Sequence, residues 1–327
     1  MRDRVFVTRR IPEDGLEQIK ANFDAIVWTE NQPPSKAEII KGAQGCKGLV
    51  TLLSDPIDAE LMDSLPSLRV VAQCAVGYDN IDVRNATERN IAVTNTPGIL
   101  TETTADLTWA LILAACRRVP EADRYVRNGH WRVAWDPMML LGRDIFGSTL
   151  GIIGMGRIGT AVARRASGFS MKILYHSRSR KKEIESELDA LRTDLETLLR
   201  ESDVVSVHVP LTDDTRGMIG IDELQMMKPS AVLVNTSRGP VIDEDALTQA
   251  LETGLIAGAG LDVFTEEPIP MKSRLLKLDN VVILPHIGSA SIDTRAKMAK
   301  MSAANLIAAL QGETPPNIVN PEAYKNE

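Results

Sequence analysis

Ser148-Thr-Leu-Gly-Ile-Ile-Gly-Met-Gly-Arg-Ile-Gly-Thr160 decides the fold. Residues 149–153 are short, apolar and rich in β-branched side chains, the make-up of a strand buried on both faces. Gly154, Gly156 and Gly159 follow in G-x-G-x-x-G spacing. A helical pattern over 160–170 and a second apolar strand over 171–176 complete a strand–turn–helix–strand unit. In that setting each glycine has a physical task. The first makes the tight turn, the second lets the backbone approach a pyrophosphate, and the third lets helix and strand pack closely. The helix start then offers unpaired N–H groups and a partial positive charge to an anion. Other nucleotide-binding turns share the glycines, so the flanking strands and helix carry the dinucleotide assignment.

The end of the second strand bears on the choice of dinucleotide. An NAD site wants an acid about 20 residues past the glycines to bind the ribose 2′-hydroxyl. That position is Ser177, followed by Arg178-Ser-Arg-Lys-Lys182. No acid repels a 2′-phosphate there, and Arg178 and Arg180 suit one. The loop therefore favours NADP, with NAD as the second choice. A solvated charge run at a strand end is the plain alternative.

Working outward, 327 residues exceed what one hydrophobic core supports, so two domains are expected. A formal net charge of −7 gives no support for nucleic acid or an anionic membrane as partner. No apolar run approaches the length of a membrane span, and the charged start lacks a signal-peptide core. Cys46, Cys74 and Cys116 are odd in number and without C-x-x-C spacing. They read as buried thiols in a reducing compartment, and a cytoplasmic location is expected.

Up to residue 97, strand patterns at 5–8, 25–28, 48–52, 70–73 and 91–94 alternate with helical ones at 14–23, 36–43, 58–65 and 83–89. Such alternation predicts an α/β fold with a doubly wound parallel sheet. Val76-Gly-Tyr-Asp-Asn-Ile-Asp82 follows one of these strands, at the carboxyl edge where α/β ligands bind. The adjacent N–H groups of Val76 and Gly77 suit a carboxylate, and a polar turn with an Asx cap is the alternative. Asn95-Thr-Pro-Gly98 marks a domain boundary, with a long linking helix over 101–118. Residues 119–146 read as irregular, and their Trp131, Trp135 and apolar run 138–141 suggest a partner surface. Beyond the glycine loop, Thr193-x-x-Glu196 reads as a capping box opening a helix through Arg200. Strands follow at 204–207, 231–235, 256–261 and 281–284, with a helix at 244–253. A last helix over 294–310 is long enough to return to the first domain.

Three titratable residues stand out after these strands. Arg238 and His286 each lie just past a strand's carboxyl end, and Glu267 follows Asp262 by five residues. Hydride transfer to a 2-keto acid needs a group to hold the carboxylate and one to protonate the developing alkoxide. An arginine fork does the first and a histidine the second. A glutamate beside the histidine orients the ring and favours its charged form. Of the four histidines, His130, His176, His208 and His286, only His286 sits where a proton donor is wanted.

Taken together, the chain resembles the D-2-hydroxyacid dehydrogenase family over nearly its whole length. The carrying motifs are Gly154-Met-Gly-Arg-Ile-Gly159, Asn235-Thr-Ser-Arg-Gly-Pro240, Gly260-Leu-Asp-Val-Phe-Thr-Glu-Glu-Pro268 and Leu284-Pro-His-Ile-Gly288. The resemblance implies a Rossmann cofactor domain, residues 100–286, inserted in a flavodoxin-like substrate domain formed by 1–99 and 287–327. It implies Arg238, Glu267 and His286 as the catalytic set, Val76-Gly77 as the carboxylate holder, and Asp262 as partner of the nicotinamide carboxamide. The cofactor set it implies comprises Thr104, Gly154, Gly156, Arg157, Ile158, Ser177, Arg178, Arg180, Pro210, Thr215, Thr236, Asp262 and Gly288.

Within that family the chain is most similar to the glyoxylate/hydroxypyruvate reductases. Val76-Gly-Tyr-Asp-Asn-Ile-Asp82, Leu100-Thr-Glu-Thr-Thr-Ala-Asp106, Trp135-Asp-Pro137 and the Ser-Arg-Ser-Arg loop carry this likeness. It implies reduction of small 2-keto acids to 2-hydroxy acids, and a homodimer in which Trp135 reaches the partner subunit's substrate site. NAD-type members carry an acid where Ser177 stands. Among relatives, 2-ketogluconate reductases and phosphoglycerate dehydrogenases share the machinery, although no added regulatory domain follows here. Formate dehydrogenase relatives place Gln where Glu267 stands. A corepressor role would call for extended tails and basic patches that this chain lacks.

Overall fold

The computed structural model describes residues 2–323. The chain forms two compact units, one running to Leu100 and resuming at Ser289, the other spanning Thr101–Gly288. In the first unit five strands run parallel: β1 (Arg4–Val7), β2 (Asp24–Val27), β3 (Gly48–Thr51), β4 (Val70–Gln73) and β5 (Ala92–Thr94). Their order is β2-β1-β3-β4-β5, the flavodoxin-like arrangement. Apolar clusters cover both faces of this sheet, which is why β3 and β4 are buried along their whole length rather than alternating. The helix Ile292–Leu310 belongs to this unit and lies against the helix Glu13–Asn22. Their approach depends on Gly15, where a Cβ would stand 2.4 Å from the Ala299 carbonyl carbon. This helix starts earlier than its apolar pattern suggests, because Ser291 caps it by accepting the Thr294 N–H at 3.2 Å.

The second unit holds seven parallel strands: β6 (Thr149–Ile153), β7 (Lys172–His176), β8 (Leu191–Arg192), β9 (Val204–Val207), β10 (Val232–Asn235), β11 (Gly258–Leu261) and β12 (Val281–Ile283). The order β12-β11-β10-β9-β6-β7-β8 is that of a Rossmann sheet extended by one strand. Strand order reverses between β6 and β9, so the glycine loop after β6 opens at the switch point where dinucleotides bind. The helix Thr101–Cys116 packs on β10 and β11, with the Leu111 side chain filling the space that Gly260 leaves.

Three local expectations are corrected. The helix Leu195–Glu201 is capped by Asp194, which accepts the Thr197 N–H at 2.7 Å, and not by Thr193. Thr193 is occupied at the sheet edge, donating its N–H to Tyr175. Residues 119–146 are not irregular throughout, since Val119–Arg127 is helical. Arg118 at φ +54° breaks the chain from the preceding helix, and Pro120 in the first turn restarts it. The charge run after Ser177 also hides a helix, Lys182–Leu188, leading into β8. All three cysteines are buried free thiols, and burial pushes those of Cys74 and Cys116 up to about 11. Among the described residues no helix is long and apolar enough to cross a membrane.

Candidate active site

The glycine loop shows the three tasks in its geometry. Gly154 has φ +99°, and a Cβ there would lie 2.8 Å from the His208 carbonyl carbon. At Gly159 a Cβ would stand 2.2 Å from the Gly154 oxygen, so helix and loop meet only over a hydrogen. Among the described residues nothing lies within 4 Å of a Cβ placed on Gly156, which leaves its backbone open to a ligand. Gly156 also precedes the helix Arg157–Ala166 and gives it no side-chain cap, so the Arg157 and Ile158 N–H groups face outward for an anion.

At the ribose end, Arg192 on β8 donates to the Ser177 and Arg178 carbonyls at 3.1 and 3.4 Å and fixes the loop. Arg180 is paired through Nε with Glu185 at 2.8 Å, and Glu185 also accepts the Tyr175 hydroxyl at 2.7 Å. The hydroxyl bond from Tyr175, with the Arg180 and Arg192 charges, holds the Glu185 carboxyl below its ordinary range against burial. Sequence reasoning passed over Glu185, because nothing in a run of charges says which partner an arginine takes. After β9, Thr215 donates to the Pro210 carbonyl at 2.6 Å and accepts the Thr212 N–H at 2.8 Å, closing that loop. Thr236, past β10, bonds Thr108 at 2.9 Å, and Thr108 donates to the Thr104 carbonyl at 2.8 Å.

Asp262 directly follows β11 and is 1% exposed. Its Oδ1 accepts the Ile287 N–H at 2.7 Å, while Oδ2 is buried with no hydrogen-bond partner among the described residues. Burial raises its carboxyl above the ordinary range, against the pull of the Ile287 N–H, the charge of His286 and the nearby Gly288 N–H. Gly288 and Thr104 line the same point, since a Cβ on Gly288 would be 3.2 Å from Oδ2 and 3.4 Å from the Thr104 methyl carbon. A buried acceptor without a donor is costly, and an amide N–H from a ligand would satisfy it. The residues thus fit a dinucleotide whose ring carries a carboxamide.

Beside Asp262 the catalytic candidates meet. His286 follows β12 at φ +54°, a strained conformation for a non-glycine residue. Its Nδ1 donates to Glu267 Oε2 at 2.6 Å, and Glu267 Oε1 accepts the Phe264 N–H at 3.0 Å. Burial pushes the Glu267 carboxyl up, but the His286 bond and charge, the Phe264 N–H and the Arg238 charge together hold it below its ordinary value. With Nδ1 donating to a carboxylate, Nε2 is the nitrogen left for proton exchange. Arg238 sits on a turn braced by Asn235, which donates to the Arg238 carbonyl at 2.9 Å and accepts the Ser237 N–H at 2.9 Å. Gly239 lets that turn rest on the loop bearing Glu267, as a Cβ would lie 1.9 Å from the Phe264 carbonyl carbon. The remaining histidines are engaged elsewhere. His130 packs edge-on against Tyr125, His176 Nδ1 lies 3.3 Å from the Thr193 carbonyl, and His208 pairs with Ser206 at 2.8 Å. Burial lowers His208 to about 3, so it is neutral.

Two further predicted site features are described by themselves. Val76 and Gly77 belong to the first unit, on the half-buried loop after β4. Trp135 is 77% exposed and is not packed within its own subunit, and Met138 and Phe146 are exposed at 73% and 72%.

A Rossmann sheet, an open glycine turn, an unsatisfied buried acid and a carboxylate-bound histidine define a nicotinamide-dependent dehydrogenase. The chain belongs to the D-isomer specific 2-hydroxyacid dehydrogenase family, whose NAD binding domain matches residues 109–288. It is 60% identical to a glyoxylate reductase of Korarchaeum cryptofilum, over 99% of this chain and 98% of that one. A glyoxylate reductase of Thermococcus litoralis is 53% identical over 98% and 97% of the two chains. Among solved structures, the NADPH-dependent glyoxylate/hydroxypyruvate reductase of Sinorhizobium meliloti, in complex with NADP and malonate, superposes with a TM-score of 0.88. Its identity is 35%, with 100% of this chain and 99% of that chain covered.

Proposed function

We propose that this enzyme reduces glyoxylate and hydroxypyruvate to glycolate and D-glycerate, with NADPH favoured over NADH. The observation that carries the chemistry is the 2.6 Å bond between His286 Nδ1 and Glu267, beside the unsatisfied oxygen of Asp262. The names of the relatives support the substrates, and the Sinorhizobium enzyme's NADP supports the cofactor. When bound, the dinucleotide supplies the hydride. Asp262 accepts from its carboxamide, and the Gly154–Gly159 turn with Arg157 and Ile158 holds its pyrophosphate. Ser177 and Arg178 take the 2′-phosphate, with Arg180 shared between that phosphate and Glu185. Arg238 grips the substrate's carboxylate and keto oxygen, and the Val76 and Gly77 N–H groups take the carboxylate. His286 Nε2 gives its proton to the developing alkoxide, while the Glu267 carboxylate accepts from Nδ1 and orients the ring. Reduction therefore needs charged His286, and the reverse oxidation needs it neutral.

The exposed tryptophan and the apolar residues around it support a homodimer in which Trp135 completes the substrate site of the partner subunit. Steady-state rates with glyoxylate, hydroxypyruvate and 2-ketogluconate, each with NADPH and NADH, test the assignment. The highest kcat/KM is expected for the first two with NADPH. A dominant 2-ketogluconate rate would move the substrate assignment elsewhere in the family.

A further inference from the structure

The Val76–Gly77 loop is held from behind by three anchors, one on each of its consecutive carbonyls. The Ala75 carbonyl accepts the Thr96 N–H at 2.8 Å. The Val76 carbonyl accepts Asn95 Nδ2 at 2.8 Å, and the Gly77 carbonyl accepts Gln73 Nε2 at 3.1 Å. A trans peptide is planar, so a fixed carbonyl aims the next residue's N–H in the opposite direction. The Thr96 bond thereby orients the Val76 N–H, and the Asn95 side chain orients that of Gly77. Neither N–H has a hydrogen-bond partner among the described residues.

The anchors are themselves rigid. Gln73 is fully buried, accepts the Thr51 hydroxyl at 2.7 Å and donates to Asn80 Oδ1 at 2.8 Å. Asn80 in turn donates to the Leu52 and Asp55 carbonyls at 3.0 and 2.7 Å. Behind Asn95, its backbone carbonyl accepts Asn305 Nδ2 at 3.0 Å, and Asn305 Oδ1 accepts Asn317 Nδ2 at 3.1 Å. A buried glutamine and a half-buried asparagine whose side-chain donors go to the carbonyls of one short loop point to a loop whose geometry matters.

We propose that Asn95 and Gln73 are positioning residues for substrate: Asn95 aims the Gly77 N–H at its carboxylate, and Gln73 clamps the Gly77 carbonyl so that the Val76–Gly77 pair keeps its place. The proposal rests on the assignment of that peptide pair to the carboxylate. Both residues act through the loop backbone, without touching substrate. A loop released from its anchors still donates its N–H groups, but must be ordered when substrate binds. The effect should fall on substrate binding alone.

The test compares Asn95→Leu and Gln73→Met, two neutral changes of similar size that remove the donors, with Asn317→Leu as a control deeper in the same amide network. Thermal midpoints, kcat, the KM values for glyoxylate and NADPH, and calorimetric affinity for oxalate on the NADPH complex are measured for each. The two anchor variants should raise the glyoxylate KM and weaken oxalate about tenfold, the weight of one hydrogen bond, with kcat and the NADPH KM little changed. The control should lower the thermal midpoint without that split. Folded anchor variants with wild-type oxalate affinity overturn the proposal, as does an equal loss from the control or failure of both variants to fold. If wild type does not reduce glyoxylate, the functional assignment fails instead, and oxalate affinity still reports on the anchors.

Discussion

Replacing Ser177 by Asp puts a carboxylate at the end of β7, where an NADP site must receive a dianionic 2′-phosphate. The structure says which contacts are at stake. Arg180 is already committed to Glu185 at 2.8 and 3.1 Å, so it cannot be counted in full toward the phosphate. Arg178 and the Ser177 hydroxyl remain, on a backbone that Arg192 fixes through both of their carbonyls. The substitution removes the hydroxyl donor and offers Arg178 a competing carboxylate, so one to two charge-assisted bonds are lost. At about 1.5–3 kcal/mol for each such bond, kcat/KM for NADPH should fall by about one to two decades per bond. NADH lacks the phosphate and offers a 2′-hydroxyl for Asp to accept, so its kcat/KM should hold or rise. The assay is kcat/KM for both cofactors at saturating glyoxylate, at one fixed ionic strength because the repulsion is screened by salt. Equal falls for the two cofactors would refute the reasoning. A wild type that already prefers NADH strongly would refute it sooner.

Replacing His286 by Ala should lower kcat about 10²–10⁴-fold, the usual weight of general acid catalysis, with NADPH binding nearly unchanged by fluorescence titration. A rate near wild type would exclude His286 as the acid. Replacing Met138 and Leu141 by Ser should weaken the dimer in sedimentation equilibrium and lower activity in parallel, with a steeper loss on dilution. An active wild-type monomer at working concentration would end the partner role of Trp135.

Where one residue type alone satisfies the backbone, sequence was enough. Gly154 at φ +99° and Gly159 beneath the Gly154 carbonyl tolerate no other side chain, so their spacing announces the turn. Strand ends were legible for a related reason, because fully buried parallel strands are continuous apolar runs bounded by polar loops. It followed that Arg238, Asp262 and His286 would share one sheet edge. Contacts set by tertiary partners were not legible. Thr193 and Asp194 are both good caps by type, and only the pairing of Thr193 with β7 decides between them. Residues 119–127 read as irregular because the run is only nine residues long with Pro120 in its first turn, and its apolar Val119 and Val126 are exposed rather than turned to a core. Glu185 and Asn95 act on residues 5 and 19 positions away, through bonds that depend on how loops return to the sheet.

The central claim is that the Glu267 carboxylate holds His286 for proton transfer, and the pH dependence of kcat in wild type and Glu267→Gln tests it most directly. Glu267 is held below its ordinary value in the folded protein, so its contribution to stability is complete above the ordinary carboxylate range. That contribution is lost only as pH falls through the lowered value, and the carboxylate is therefore in place at neutral pH. Glyoxylate reduction by wild type should lose rate only as pH falls through that lowered value, where the carboxylate takes up a proton. In Glu267→Gln a neutral amide faces the ring, so kcat should lie below wild type at every pH above that value, in reduction and in glycolate oxidation alike. The acid-side loss that belongs to the carboxylate should be absent from the variant. Equal kcat and superimposable profiles from the two folded enzymes would contradict the claim and remove Glu267 from the mechanism.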